Sequence, residues 1–432
     1  MNLNLNRNLT PKFYPILPEN LRLDMLKPEV IRLNNGLPVY IFSGGSQDIV
    51  KIEFVFDAGS SFQRKSFTAL FTNRLLTEGT RSYNASQIAE IIDFHGTFIE
   101  KNVDVDQAFV SLISPNKHLE KLLPVFEEII KYPRFPEEEI SIHLKRIQQE
   151  HKMSMEKVGT IARIRFREML FGETHPYGIY NDITLTESID KNELIDFHRK
   201  FYNSENVIIF LSGNPDENVI QMLNQYFGKN DWKGRKAELN QHFPELPANI
   251  HKKHIVREDA VQDAIRIGKV IFNRSEKDFI VLDILTKILG GYFGSRLMMN
   301  IREDKGYTYG IGSGLVSFRH HGIFFISTES GVEFRENVKE EIYKEIEILR
   351  NELIPEEELE LVKNLMQGEF LRSIDGPFES AEISRTLLLN NLTTDYIEQH
   401  LNTLKYITAE EIRLMAQKNL SIESFHELTV GK

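Results

Sequence analysis

The chain has 432 residues, of which 41% are hydrophobic and 27% charged, and its formal net charge is −11. This length suffices for two or three domains with a substantial core, and the negative charge argues against nucleic acid or an anionic membrane as a partner. Because the chain contains no cysteine, disulfides, thiol catalysis and cysteine-based zinc sites are excluded.

No stretch of the sequence is long and apolar enough for a membrane-spanning segment, since apolar runs such as Val207–Leu211 are short. The N-terminal residues 1–20 also lack the continuous apolar stretch that a signal peptide needs. We therefore expect a cytoplasmic protein with neither a membrane nor a nucleic acid as partner.

Strand and helix signals alternate in the first half of the chain. Asn35 and Gly36 separate two apolar segments, which predicts a hairpin, and a further strand leads into a helix within residues 67–80. A second helix is predicted to begin at the cap Ser86 and to end at Gly96. Two strands, two helices and a last buried strand complete this half.

The second half repeats the order strand, helix, helix, strand, strand, helix, helix. Residues 229–250 are polar, contain two prolines and lack periodicity, as is typical of a linker. We predict an α+β protein with two homologous domains, residues 1–228 and 251–432. Each domain should be a mainly antiparallel sheet covered by helices on one face.

The helix within residues 67–80 allows two interpretations. Leu70, Asn73 and Arg74 have the i, i+3, i+4 spacing of a metal site, yet none of them is a typical ligand. The segment is therefore either an ordinary core helix or a catalytic helix that has lost its metal, and its composition favours the core helix.

Other motifs for hydrolytic chemistry are absent from the sequence. There is no G-x-S-x-G and no H-E-x-x-H or H-x-x-E-H, and "LGGYFGS" at 289–295 is interpreted as a helix end followed by a tight turn. His251 and His254 form the only H-x-x-H, but two lysines separate them at the end of the polar stretch 228–254 that contains the presumed linker, and cations oppose a metal. The residues predict no metal centre in this chain alone.

A second candidate group lies between Ser295 and Gly314. Arg302 falls in the last turn of a predicted helix, Gly306 permits a reversal, and Tyr309 enters the next strand, so the two side chains can converge. A guanidinium and a phenol are donors suited to a peptide carbonyl or to negative charge that develops on it. Alternatively, Arg302 caps the helix C-terminus and Tyr309 packs at a sheet edge, and spacing alone favours this alternative.

The element order and several motifs resemble the insulinase/pitrilysin family, most closely its short, mitochondrial-processing-peptidase-like branch. The motifs are "NNGLPVYI", "FVFDAGS", "LLTEGT", "HPYG" and "LGGYFGSRLMMNIREDKGYTYGIGSG". The resemblance extends from about Pro28 to Leu428. It implies an inverted-motif zinc peptidase fold, the LuxS/processing-peptidase-like metallohydrolase fold, built from two homologous α+β domains.

In active members of that family, H-x-x-E-H supplies two zinc ligands and a base. The resemblance assigns these positions to Leu70, Asn73 and Arg74 here, and the third ligand position to Glu150. Both histidines and the base are absent, so we expect no metal at these positions and no peptide hydrolysis by this chain alone. We also expect Arg74 to pair with Glu150.

Arg302 and Tyr309 match the family's substrate-binding pair in residue type and spacing. The resemblance implies a heterodimer in which a homologous H-x-x-E-H subunit supplies zinc, while this chain binds the peptide substrate and stabilises its oxyanion. Two rivals remain, namely a structural or scaffold protein of the same fold and a self-sufficient zinc enzyme with unrecognised ligands. The lone chain can also form a homodimer on this interpretation.

Overall fold

The computed structural model describes residues 25–237, 243–247, 249 and 251–432. The N-terminal residues 1–20, where we predicted no signal peptide, lie outside the described residues, as does part of the predicted linker 229–250. The strands are β1 (Glu29–Arg32), β2 (Pro38–Ser43), β3 (Ile49–Phe56), β4 (Phe98–Val103), β5 (Ala108–Pro115), β6 (Val207–Gly213), β7 (Lys252–Val256), β8 (Gln262–Ile271), β9 (Thr308–Ser317), β10 (Gly322–Gly331) and β11 (His426–Gly431).

The α-helices are distributed over both halves of the chain. They are α1 (Thr68–Arg74), α2 (Ala85–Phe94), α3 (Leu119–Lys131), α4 (Glu137–Ser154), α5 (Val158–Phe171), α6 (Lys191–Phe201), α7 (Glu217–Phe227), α8 (Phe279–Gly290), α9 (Arg335–Asn351), α10 (Glu356–Arg372), α11 (Pro377–Leu389), α12 (Asp395–Tyr406) and α13 (Ala409–Asn419). Among these helices, none combines the length and the apolar character that a membrane crossing requires.

The two sheets have the same topology. The first has the strand order β1-β2-β6-β3-β5-β4 and the second β7-β11-β8-β10-β9. Without β1, the two orders correspond strand for strand in chain order, and in each sheet one parallel pair, β2–β6 or β7–β11, joins an otherwise antiparallel ladder. This correspondence confirms the predicted α+β class with two related, mainly antiparallel sheets. The domain bounds 1–228 and 251–432 remain predictions.

In the first half, most of the local predictions agree with the structure. The hairpin at Asn35 and Gly36 is confirmed, with Gly36 at a φ of +86° that favours glycine. Helix α1 ends at Arg74 and continues as a 3₁₀ turn rather than as α-helix up to Gly79. The predicted cap Ser86 was wrong, because Asn84 caps α2 through a reciprocal capping box with its N3 residue.

Two predictions for the second half were wrong. His254 lies not in a linker but in β7, which pairs in parallel with β11. The predicted α-helix that contains Arg302 is a π-helical segment, Met298–Asp304. Such wide turns are rare and are found frequently at functional sites.

The first sheet has helices on both faces, and one of them comes from the opposite half of the chain. Alternate residues of a strand point to opposite faces, and one face joins the main core of the first half. On the other face, Phe42, Val55 and Phe210 form a cluster with Ala381 of α11. The prediction of helices on one face only was therefore wrong for this sheet.

The second sheet shows the reciprocal arrangement. Its own helices cover one face, whereas Ala264, Leu428 and Val430 on the other face pack against Ile161 and Phe166 of α5. Helix α5 belongs to the first half and α11 to the second, so one helix of each half packs on the sheet of the other half. The two sheets are thereby joined through apolar contacts on both sides.

Candidate functional site

Helix α1 turns its apolar side into the core of the first half and leaves Leu70 at the edge of a cavity. Phe71 and Leu75 are fully buried, whereas Leu70 is partly buried and lines the cavity. The core-helix interpretation is thus correct for most of α1. An aliphatic side chain therefore stands at the position that the resemblance assigns to the first zinc ligand.

Asn73, which the resemblance assigns to the position of the catalytic base, is buried and held by two hydrogen bonds. It is 1% exposed, and its Nδ2 donates to the Phe109 carbonyl oxygen at 3.2 Å and to the Tyr202 hydroxyl at 3.3 Å. Burial also raises the pKa of Tyr202, so this hydroxyl stays protonated. Because a carboxamide does not accept a proton near neutral pH, this position cannot activate a water molecule.

The remaining two positions do not form the pair that we predicted. Glu150 is 61% exposed and lies 3.7 Å from Arg146, one turn earlier on α4. Among the described residues, Arg74 and Glu150 do not form an ion pair with each other, so the predicted Arg74–Glu150 pair was wrong. The backbone carbonyl of Arg74 instead accepts a hydrogen bond from the Lys101 ammonium at 2.5 Å.

These four side chains do not fit a catalytic zinc ion. Zinc in proteins takes imidazole, thiolate or carboxylate ligands, and here the positions offer an alkyl group, a buried amide, a guanidinium and one exposed carboxylate. The guanidinium of Arg74 would also repel a dication. We derive no hydrolytic step at these residues.

The cavity beside Leu70 has a volume of about 1220 Å³ and is lined by both halves of the chain. The first half contributes residues 60–61 and 63–67 and the strand ends around Asp106, and the second half contributes Phe318, Arg319 and Arg385. Arg302 and Tyr309 are not among the described residues that line it. The two candidate groups therefore do not share this cavity.

Hydrogen bonds join the two halves at one wall of the cavity. Asp106 accepts from the Tyr177 hydroxyl at 3.0 Å and from the backbone N–H of Arg319 at 2.9 Å, and the Arg319 guanidinium also pairs with Asp57. Burial and the neighbouring Asp106 carboxylate raise the pKa of Tyr177. Tyr177 belongs to the "HPYG" motif, in which burial lowers the pKa of His175 to about 4. This motif therefore belongs to the junction between the halves.

Arg302 and Tyr309 converge as the sequence predicted. Gly306 reverses the chain between them at a φ of +66°, a conformation that favours glycine, and the Arg302 Cζ lies 5.1 Å from the centre of the Tyr309 ring. Tyr309 is 87% exposed. Tyr309 does lie on β9, the edge strand of the second sheet, as the alternative interpretation has it, but its ring is exposed rather than packed against that sheet.

Sequence reasoning missed a third member of this group, Phe293. Its ring centre lies 4.8 Å from the Arg302 Cζ, and the ring is 60% exposed. It belongs to the turn after α8, where a Cβ on Gly290 would lie 2.5 Å from the backbone nitrogen of Ser313. The close approach of this turn to β9 brings Phe293 to Arg302. In the sequence, only its place between Gly291 and Gly294 indicated that Phe293 lies in a turn.

Comparisons with known proteins cover most of the chain. The model described as Insulinase (Peptidase family M16) matches residues 40–174, and the model described as Peptidase M16 inactive domain matches residues 188–366. Together they include the Leu70 and Arg302 positions.

Some relatives are named as uncharacterized zinc proteases, and one is named as a probable inactive metalloprotease. The chain is 22% identical over 392 residues to the uncharacterized zinc protease YmxG of Bacillus subtilis, covering 89% of this chain and 93% of YmxG. It is 19% identical to the probable inactive metalloprotease YmfF of the same organism, over 69% of this chain and 71% of YmfF. A crystal structure of a peptidase M16 inactive domain from Pseudomonas fluorescens matches with a TM-score of 0.84 at 24% identity, covering 94% of this chain and 98% of that chain.

Proposed function

Because the chain belongs to the insulinase family of peptidases, M16, we propose that it is the subunit of a two-chain metallopeptidase that has no catalytic zinc of its own. Arg302 and Tyr309 bind the backbone of the peptide substrate and stabilise its oxyanion, while a homologous partner chain supplies the zinc and the base. This proposal rests on a contrast between the two groups of residues. The positions assigned to the zinc ligands and the base hold unsuitable side chains, whereas Arg302 and Tyr309 are both present and lie close together.

The chemistry of the pair suits this role. A guanidinium presents several N–H donors in a fixed plane and a phenol presents one O–H donor, and both can bind a carbonyl oxygen on which charge develops. Phe293 and Tyr309 both lie close to the Arg302 guanidinium, at 4.8 and 5.1 Å from their ring centres. Cation–π contacts of this kind restrict the guanidinium before substrate arrives, which lowers the entropic cost of binding.

The location of the pair supports a role in trans. Tyr309 is 87% exposed, and neither Tyr309 nor Arg302 is among the described residues that line the cavity beside Leu70. A peptide bound at this pair would therefore meet its hydrolytic groups on another chain that faces this surface. A homologous H-x-x-E-H chain provides those groups on a similar scaffold.

Reconstitution tests the proposal. The purified chain, its H-x-x-E-H partner and an equimolar mixture are assayed with a fluorogenic peptide library, and cleavage is expected in the mixture only. Arg302→Ala should lower kcat by about 10²–10³-fold, the typical effect of removing one oxyanion donor, and Tyr309→Phe should lower it in the same direction.

The control variants are matched in residue type. Arg199, whose side chain is 78% exposed, and Tyr406, which is 67% exposed, lie outside the proposed pair, so Arg199→Ala and Tyr406→Phe should leave cleavage unchanged. Wild-type activity in the Arg302→Ala mixture would contradict the assignment. A stable assembly without cleavage in any mixture would favour the scaffold alternative.

A further inference from the structure

Three potential metal ligands meet beyond the end of α1. Glu78 follows the 3₁₀ turn after α1, and Glu139 and His143 lie on α4. One ligand atom from each residue lies within 4.8 Å of the other two, and the His143 Nε2 is 3.5 Å from the Glu78 Oε1. The side chains of Glu78 and His143 are only 19% and 11% exposed.

The local fold explains this convergence. Glu139 and His143 are four residues apart on α4, so they lie on the same face of the helix. The turn after Glu78 is bound to the segment that leads into α4, because the Gly79 carbonyl accepts from the Arg134 N–H at 2.9 Å. Gly79 has a φ of +144°, and a Cβ there would approach Pro136 to 3.1 Å. Glycine thus allows the turn to hold Glu78 against α4.

We propose that Glu78, Glu139 and His143 form a binding site for a divalent transition-metal ion, with Zn²⁺ as the best match to this ligand set. Carboxylate oxygens and a neutral imidazole nitrogen are zinc ligands with bonds of about 2.0–2.2 Å. In a tetrahedral site these bond lengths place neighbouring ligand atoms roughly 3.4 Å apart, close to the 3.5 Å between His143 and Glu78. The Glu139 carboxylate, within 4.8 Å of the other two ligand atoms, would move closer to both on metal binding.

Two cations flank the site and limit its affinity. The Lys101 Nζ lies 3.9 Å from the Glu78 Oε1, although it already donates to the Arg74 carbonyl and the Thr77 hydroxyl, each at 2.5 Å. The Arg146 Nη2 lies 3.3 Å from the His143 Nδ1. Metal binding through Nε2 places a proton on Nδ1, so Arg146, which is 57% exposed, must turn towards Glu150. Removal of the Lys101 charge should therefore strengthen metal binding.

This site differs from the unsuitable positions on α1 and does not rest on the proposed subunit role. It uses neither Leu70, Asn73 and Arg74 nor Glu150, and its three ligands are not among the described residues that line the cavity. The metal would connect the end of α1 to α4 and stabilise the fold by mass action. The His143→Gln chain should still support cleavage when mixed with the partner, which separates the two proposals.

Calorimetric titration of Zn²⁺ into the chelator-treated, full-length chain tests the site. We expect one saturable site per chain, a loss of affinity of about 100-fold or more in Glu139→Gln and in His143→Gln, and a gain of roughly tenfold in Lys101→Met. The matched variants Glu150→Gln and His151→Gln, on the same helix, should bind like wild type. Far-ultraviolet circular dichroism checks that each metal-free variant is folded.

Two results would overturn the site. One is the absence of saturable binding by the wild-type chain in the micromolar range. The other is wild-type affinity in both Glu139→Gln and His143→Gln, which would mean that zinc binds elsewhere. Weaker binding in Lys101→Met would likewise contradict the electrostatic reasoning.

Discussion

Replacing Arg385 by methionine should destabilise the first half of the chain, although Arg385 belongs to the second half. Arg385 lies on α11, the helix that the second half lends to the first sheet, and its Nη1 donates to the Glu53 Oε2 of β3 at 2.6 Å. The side chains of Arg385 and Glu53 are 16% and 8% exposed. Methionine keeps much of the length of arginine, so the change removes mainly the charge and its hydrogen bonds.

The expected loss follows from what remains around Glu53. Removing one partner of a buried ion pair costs about 3–5 kcal/mol, because the other charge stays buried without compensation. Here the Lys51 Nζ remains 3.2 Å from the Glu53 Oε1, and the Ser111 hydroxyl still donates to that oxygen. We therefore expect the free energy of unfolding to fall by about 2–3 kcal/mol, below the full range.

The single tryptophan of the chain makes this effect measurable in the first half alone. Trp232 is 7% exposed and packs in the core of the first half, so urea unfolding followed by its fluorescence reports on that half. The transition should shift to lower urea in Arg385→Met, whereas Arg413→Met, which removes a surface pair on α13, should change the free energy by less than about 1 kcal/mol. An unchanged fluorescence transition in Arg385→Met would refute the coupling between the halves.

Further predictions concern pH and glycine. Burial lowers the pKa of His175, of His198 and of His400 to about 4, below the unfolded value of about 6.5. Between about pH 6.5 and pH 4 the unfolded chain thus binds more protons than the folded chain. As the pH drops through this window, each of these histidines should lower the free energy of unfolding by up to about 1.4 kcal/mol per pH unit. Urea titrations at several pH values measure the slope, which should be shallower in His198→Gln. Gly368→Ala in α10, where a Cβ meets open space, should stabilise the chain by about 0.5–1 kcal/mol, whereas Gly290→Ala should lower the melting temperature, and an equal response of both variants would contradict the packing at Gly290.

Features set by neighbouring residues were predictable from the sequence. Short segments with a glycine at the turn determine both the hairpin at Asn35 and Gly36 and the convergence of Arg302 with Tyr309. The cap of α2 was also predictable, because Asn84 is followed by Gln87 in the capping-box spacing, a spacing that the predicted cap Ser86 lacks. The π-helical geometry at Arg302 has no comparable signal, since its residues also suit an α-helix.

Features set by distant parts of the chain were not predictable in this way. Strand β7 is polar and mostly exposed, and only its pairing with β11, some 175 residues later, makes it a strand. Glu150 pairs with Arg146 rather than with Arg74, because Arg146 lies four residues earlier on the same helix and is therefore always near Glu150. The group of Glu78, Glu139 and His143 likewise depends on how α1 meets α4, which spacing in the sequence does not reveal.

Because α5 and α11 each pack on the sheet of the other half, the two halves should stay together without an intact peptide connection between them. A helix of each half packs against the sheet of the other half, in the cluster of Phe42 and Ala381 on one side and in the cluster of Phe166 and Leu428 on the other. A chain nicked by a protease between the two halves should therefore migrate as two fragments under denaturing conditions and as one particle under native ones. By the same reasoning, either half expressed alone would expose an apolar sheet face and should aggregate, whereas co-expression of both should restore a soluble complex.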